Sequence, residues 1–120
     1  MRLGPTEALA RLREICLAFP GATETVTFGN PTFQVHQKTF CVLEEYRGEL
    51  SVSFKVGKPD QPLFLKDPRF FRTPYVGQHG WVSLRINAAP VHWPEVRSLA
   101  ETSYRSVSAG RTRRRAARSA

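Results

Sequence analysis

Apolar residues first recur at helical spacing along this chain and then, after a Pro-Gly break, at strand spacing. Leu9, Leu12, Ile15, Cys16 and Phe19 fall three and four apart, which puts them on one stripe of a helix. Thr6 is placed to cap that helix, with Glu7 in the first turn where the helix dipole favours a carboxylate. Pro20-Gly21 ends the pattern, so the predicted helix covers about 6–18. From 24 to 56 the period becomes two. "TVTFGNPTFQV" predicts two short strands around a Gly29-Asn30-Pro31 turn. "HQK" then separates it from "TFCVLEEY", and "RGE" turns the chain into "LSVSFKV".

In that last strand Leu50, Val52, Phe54 and Val56 face one way while Ser51, Ser53 and Lys55 face the other. The same alternation returns in "GWVSLRI", where Val82, Leu84 and Ile86 oppose Trp81, Ser83 and Arg85. Between them, 59–65 predicts a short helix with Pro62 tolerated near its start. A final helix is expected from about Trp93, with Pro94 at its first position and Val96, Leu99, Ala100 and Val107 on its stripe, Ser103 in the same row. The implied fold is α+β: a two-layer sandwich of an antiparallel meander with the N- and C-terminal helices packed on one face. The second face is expected to be polar and partly uncovered. It would present Ser51, Ser53, Lys55, Trp81, Ser83 and Arg85 if the two strands lie side by side.

The stretch "DPRFFRTPYVGQHGWVSL", residues 67–84, follows neither period. Asp67-Pro68 and Thr73-Pro74 stiffen it, while Gly77 and Gly80 allow backbone shapes that other residues resist. Phe70, Phe71 and Tyr75 carry more apolar surface than a solvated loop, so at least two are expected to plug the core. For His79 two roles stand open: bracing the turn by a hydrogen bond to a nearby carbonyl, or joining Arg69, Arg72 and Gln78 as donors to phosphate oxygens.

Charge then changes the picture. The chain of 120 residues carries 18 Lys and Arg against 10 Asp and Glu, a net +8, distributed unevenly. Residues 108–120 hold Arg111, Arg113, Arg114, Arg115 and Arg118 with no acid; without those five the balance is 13 against 10. The expected organisation is one domain over 1–107 and a disordered basic tail over 108–120, on a monomer. Such a balance favours a polyanionic partner, most simply nucleic acid.

Catalytic motifs are sparse. There is no GxSxG, no phosphate-binding loop and no GxGxxG. Cys16 and Cys41 are the available thiol nucleophiles, but both sit in core-like patterns without a base nearby in sequence. The three histidines, His36, His79 and His92, have no ligand spacing, so no metal and no cofactor is expected. The isolated cysteines fit a reduced, cytoplasmic protein, and no apolar run approaches a membrane span.

"LREICLAFPGATETVTFGNPTFQV" (12–35) followed by "DPRFFRTPYVGQHGWVSLRI" (67–86) closely resembles the MmcQ/YjbR family of small bacterial proteins, in the same order from about residue 6 to 107. The resemblance implies a CyaY-like (frataxin-like) fold. It also implies DNA binding, through the likeness of that family to a "double wing" domain. Iron handling does not carry over, because hard cations need clustered oxygens and the first helix offers only Glu7 and Glu14 among arginines.

The leading expectation is therefore a DNA-binding protein of low sequence selectivity. Its contacts would be Lys55, Arg85 and a stacking Trp81 on the polar sheet face, Lys38 and Arg47 at hairpin tips, Lys58, Arg69, Arg72, Gln78 and His79 beside them, and the tail arginines. Two alternatives remain: a small-molecule or anion-binding protein, with or without enzymatic activity, whose pocket gathers Tyr75, His79, Trp81, Lys55 and Arg69; and a protein-interaction domain using its polar face.

Overall fold

A computed structural model describes residues 3–87 and 90–119, with the backbone alone for Tyr46 and for 110–119. In chain order the elements are α1 (Pro5–Cys16), β1 (Thr23–Thr27), β2 (Asn30–Val35), β3 (Lys38–Tyr46), β4 (Glu49–Lys55), α2 (Gln61–Leu65), β5 (Phe70–Arg72), a 3₁₀ turn (Val76–His79), β6 (Trp81–Arg85) and α3 (Trp93–Ser119). The strands form one antiparallel sheet in the order β1-β2-β3-β4-β6-β5. This is the two-layer α+β fold expected from the alternation.

Three two-residue loops make the meander: Phe28-Gly29, His36-Gln37 and Arg47-Gly48, every one of these residues at positive φ. That is the type I′ geometry, whose twist matches the strands it joins. The first turn therefore lies one residue earlier than Gly29-Asn30-Pro31. Asn30 and Pro31 belong to β2, paired with Thr27 and Val26 of β1. Pro31 is tolerated because β3 pairs with β2 only from Thr32 onward, so its missing N–H costs no bond on that side.

The helices cover the face that carries Phe33, Cys41, Val52, Phe54, Val82 and Leu84, which are buried in one cluster with Leu12, Ile15 and Cys16 of α1 and Val96, Leu99 and Ala100 of α3. α1 starts at Pro5 behind Gly4 rather than at a Thr6 cap; proline suits the first helical position because the N–H it lacks would have no helical partner there. On β3 the register shifts so that Phe40 is an extra residue between the Phe33–Cys41 and Gln34–Thr39 pairs. This bulge lets adjacent residues both turn inward. Phe40 packs edge-on against Phe19 and Tyr104, and Cys41 is fully buried. Beyond the Cys41–Phe54 pair, the Ser103 hydroxyl of α3 stands in for the ladder: it accepts from the Lys55 N–H at 2.9 Å and donates to the Phe40 carbonyl at 2.6 Å.

β5 was not anticipated. Its three residues, Phe-Phe-Arg, are too few to display an alternation, yet they close the sheet beside β6. α3 runs as helix to Ser119, through the region where composition alone predicts a disordered tail; the side chains of Arg111, Arg113, Arg114 and Arg115 lie outside the described residues. Among the described residues no helix is long and apolar enough to cross a membrane.

Candidate nucleic-acid interface

β4 and β6 are neighbours, so the sequence correctly grouped Ser51, Ser53, Lys55, Trp81, Ser83 and Arg85 on one face. That face is not open at its centre. Ser51, Ser53, Ser83 and Trp81 are buried, leaving Lys55 half-buried and Arg85 exposed. Ser53 and Ser83 are directly opposite and share a hydrogen bond at 2.9 Å, and Ser83 is bonded in turn to the Thr73 hydroxyl at 2.8 Å. Three small hydroxyls thus satisfy one another instead of meeting solvent. Trp81, at 8% exposure, is unsuited to stacking on a base.

The ladder also sorts the candidate cations by position. Chain direction puts the Phe28-Gly29 and Arg47-Gly48 turns and the end of β6 at one end of the sheet, where Asn87 Nδ2 donates to the Gly48 carbonyl at 2.7 Å. The opposite end collects the His36-Gln37 turn, the end of β4, the 3₁₀ turn and the start of β6. Lys38, Lys55, Lys58, Arg72, Gln78, His79 and Trp81 belong to this second end; Arg47, Arg69 and Arg85 belong to the first.

At the Arg47 end the cations are mostly committed. Arg69 donates to both Asp67 and Glu95, with contacts of 2.7 Å to each. Those hydrogen bonds push its guanidinium further from deprotonation and hold the Asp67 carboxyl below its ordinary range. A guanidinium matched by two carboxylates is a poor phosphate donor, so Arg69 leaves the expected contact set. Arg85 donates to the Pro68 carbonyl at 2.9 Å and lies 4.7 Å over the Phe71 ring. Phe71 is thereby half-buried on the polar face, and Phe70 is the aromatic of its segment that joins the core.

The other end differs. Over 36–38, 55–61 and 72–81 there are four basic side chains, Lys38, Lys55, Lys58 and Arg72, and one carboxylate, Asp60. None of the four makes an ion pair among the described residues. Gln78 and His79 are exposed beside them, and His79 makes no bracing hydrogen bond to a carbonyl among the described residues.

This end is held rigidly. The Gly80 carbonyl accepts from both Val56 and Gly57 N–H, at 3.0 and 3.1 Å. Gly80 itself has φ +87, and a Cβ there would come within 2.7 Å of the Gly57 carbonyl carbon and the Lys58 nitrogen, so only glycine fits. Gln61 was missed as a positioning residue. Its buried amide donates to the Gly77 and Trp81 carbonyls at 2.7 and 2.9 Å, which ties α2 to the 3₁₀ turn and to the start of β6. A lone glutamine beside a proline carries no sequence signal for such a clamp.

The enzymatic alternatives find little support in geometry. Burial pushes the Cys41 thiol up, and its neighbour Cys16 adds to the shift, the reverse of what activates a nucleophile. Among the described residues no three His, Cys, Asp or Glu side chains converge as a metal site would require. Two cavities, of about 330 and 390 Å³, lie beside Trp93 and beside Phe70. Of the five residues expected to form a pocket, Arg69 lines the second of these cavities, and Tyr75, His79, Trp81 and Lys55 line neither.

The sequence profile of the YjbR family matches residues 17–106, three quarters of the chain. The chain belongs to the YjbR family. The family match begins just after α1 and spans the sheet, the 3₁₀ turn and α3 as far as Arg105 and Ser106, so it includes the whole basic end of the sheet. Among curated proteins no match to the chain was found.

Proposed function

We propose that this YjbR protein binds DNA with little sequence selectivity through the end of the sheet that carries Lys38, Lys55, Lys58 and Arg72. The observation that carries this reading is the concentration there of four cations with no carboxylate partner among the described residues. Phosphate oxygens supply the missing countercharge, and contacts of this kind position a protein on DNA without reading bases. α3 supports the same surface. Ser103 bonds Lys55 N–H at this end, and the helix continues toward Ser119 past Arg111, Arg113, Arg114, Arg115 and Arg118. The type I′ hairpins are consistent with the double-wing likeness attributed to the family, although the cations favour the His36-Gln37 turn over the Arg47-Gly48 turn.

Salt titration of binding to labelled DNA tests this directly. Each phosphate neutralised contributes roughly −0.9 to the slope of log K against log salt on duplex DNA. Replacing Lys38, Lys55, Lys58 and Arg72 together by Gln is expected to flatten the slope by about 3 to 4 units, and deleting 109–120 to flatten it further by about 3 to 5. A wild-type protein whose binding is absent or insensitive to salt overturns the proposal. A slope altered by the deletion alone assigns binding to the C-terminal segment and removes the sheet end from it.

A further inference from the structure

The segment joining β5 to β6 presents one aromatic ring to solvent. Tyr75 is 94% exposed, and its backbone sits at φ 66, ψ −59, with the Val76 N–H donating to the Pro74 carbonyl at 2.7 Å. This is a γ-turn of the positive-φ form, which is rare and strained for a residue with a side chain. Burial does not explain its retention, because the ring touches no core. The surroundings over-determine it. The Gly77 N–H donates to the Thr73 carbonyl at 2.9 Å, the Thr73 hydroxyl is bonded to Ser83, and Gln61 holds the Gly77 carbonyl. Arg72 lies so closely over Gly77 that a Cβ at that glycine would collide with it. The strain is thus imposed from both flanks of the turn, and its result is an outward-pointing ring on a backbone held from both sides.

The turn belongs to the basic end. The two residues before Gly77 are Tyr75 and Val76, the two after it are Gln78 and His79, and Gly80 packs on Lys58. An exposed ring on a held backbone, beside cations with no ion pair among the described residues, is the arrangement by which a protein stacks an unpaired base while holding its phosphates. Duplex DNA hides its base faces, so the ring gains little there, whereas a single strand can splay a base onto it. We infer that Tyr75 is the stacking platform for an unpaired nucleobase, and that the basic end prefers single-stranded to duplex DNA. The inference rests on the DNA reading above and adds to it the residue and the strand form. It also moves the stacking role from the buried Trp81 to its exposed neighbour in the same segment.

The test uses full-length protein with a short single-stranded oligonucleotide carrying a fluorescent base analogue, and with the matching duplex. Wild type is expected to bind the single strand more tightly and to quench the analogue. Tyr75→Ala is expected to weaken single-strand binding by about five- to 150-fold, to abolish the quenching, and to leave the salt slope unchanged because no cation is lost. Tyr75→Gly, which also relaxes the strained backbone, is expected to weaken it equally, and Tyr75→Phe to retain both binding and quenching. Equal binding by wild type and Tyr75→Ala, with a normal salt slope, overturns the stacking role and leaves the phosphate reading intact. Equal losses in Tyr75→Ala and Tyr75→Phe also overturn it, since the ring would then not be what matters. Absence of binding by wild type overturns both.

Discussion

The two ends of the sheet are built from the same strands but use charge in opposite ways. At the Arg47 end Arg69 is clasped by Asp67 and Glu95, and Arg85 is spent on a carbonyl and a ring. At the other end Lys38, Lys55, Lys58 and Arg72 have no ion-pair partner among the described residues. The backbone follows the same division. The Arg47 end is closed by two hairpin turns and tied by Asn87 to the Gly48 carbonyl, whereas the basic end carries several such ties, through Gly80, Gln61 and Ser103. Bulk charge therefore says less about function than the location of cations that have no carboxylate. It also matters whether the scaffold beneath them is rigid.

The largest effect is expected from Gly80→Ala. Its Cβ would press on the Gly57–Lys58 backbone, which cannot swing aside as a side chain can, and φ +87 adds strain. A loss of about 3 kcal/mol follows from overpacking and left-handed strain together, visible as a large drop in melting temperature. An unchanged melting temperature would mean that the basic end is not cross-tied. Gln61→Leu comes next. It removes the side-chain donor from the Trp81 carbonyl and one of two donors from the Gly77 carbonyl, which keeps the Gly80 N–H, at a cost of about 2 kcal/mol. Amide hydrogen exchange should then rise selectively over 73–81, and uniform exchange would show that Gln61 is no local clamp.

A smaller change of opposite sign is expected at the Arg47 end. Phe28 is 99% exposed at φ 52 in a type I′ turn. Phe28→Asn suits that backbone better and should stabilise the fold by about 1 kcal/mol, with DNA affinity and salt slope unchanged. A loss of binding would break the division between the two ends, since it would give the Arg47 end a share in DNA contact.

The smallest effect is acid dependence. Hydrogen bonds from Arg13 and Arg69 hold the Glu24 and Asp67 carboxyls below their ordinary values. Carboxyls depressed in this way stabilise the fold above their unfolded pKa, and that contribution fades as pH falls through the lowered folded value. Stability should thus be level above about pH 5 and decline below about pH 4. Glu24→Gln and Asp67→Asn should each flatten that decline slightly in acid-unfolding curves. A decline of unchanged steepness in both variants would show that these ion pairs carry no part of it.

Much of the fold was legible because it repeats. The stripe of Leu12, Ile15 and Cys16 and the alternations through β4 and β6 are periodic, and they correctly placed both terminal helices and the shared face of Ser53 and Ser83. The site was less legible. Trp81 and Tyr75 are aromatic residues six apart in one irregular segment, and nothing in their types tells which is buried. Arg69 and Arg72 are likewise indistinguishable by composition, yet one meets Glu95 from a helix 26 residues away while the other meets no carboxylate among the described residues. β5 escaped notice because three residues cannot establish a period.

What the sequence determined by itself is what local periodicity and turn chemistry encode, the α+β class, the meander and the helices, together with the excess of positive charge it counts and the family its segments match. Only the tertiary structure decided that the polar face closes on itself through Thr73, Ser83 and Ser53. It also decided which cations have no ion pair among the described residues and that, of Tyr75 and Trp81, the tyrosine is left in solvent. Those outcomes depend on contacts between segments far apart in the chain, where pairing and burial are set by geometry that no local pattern records.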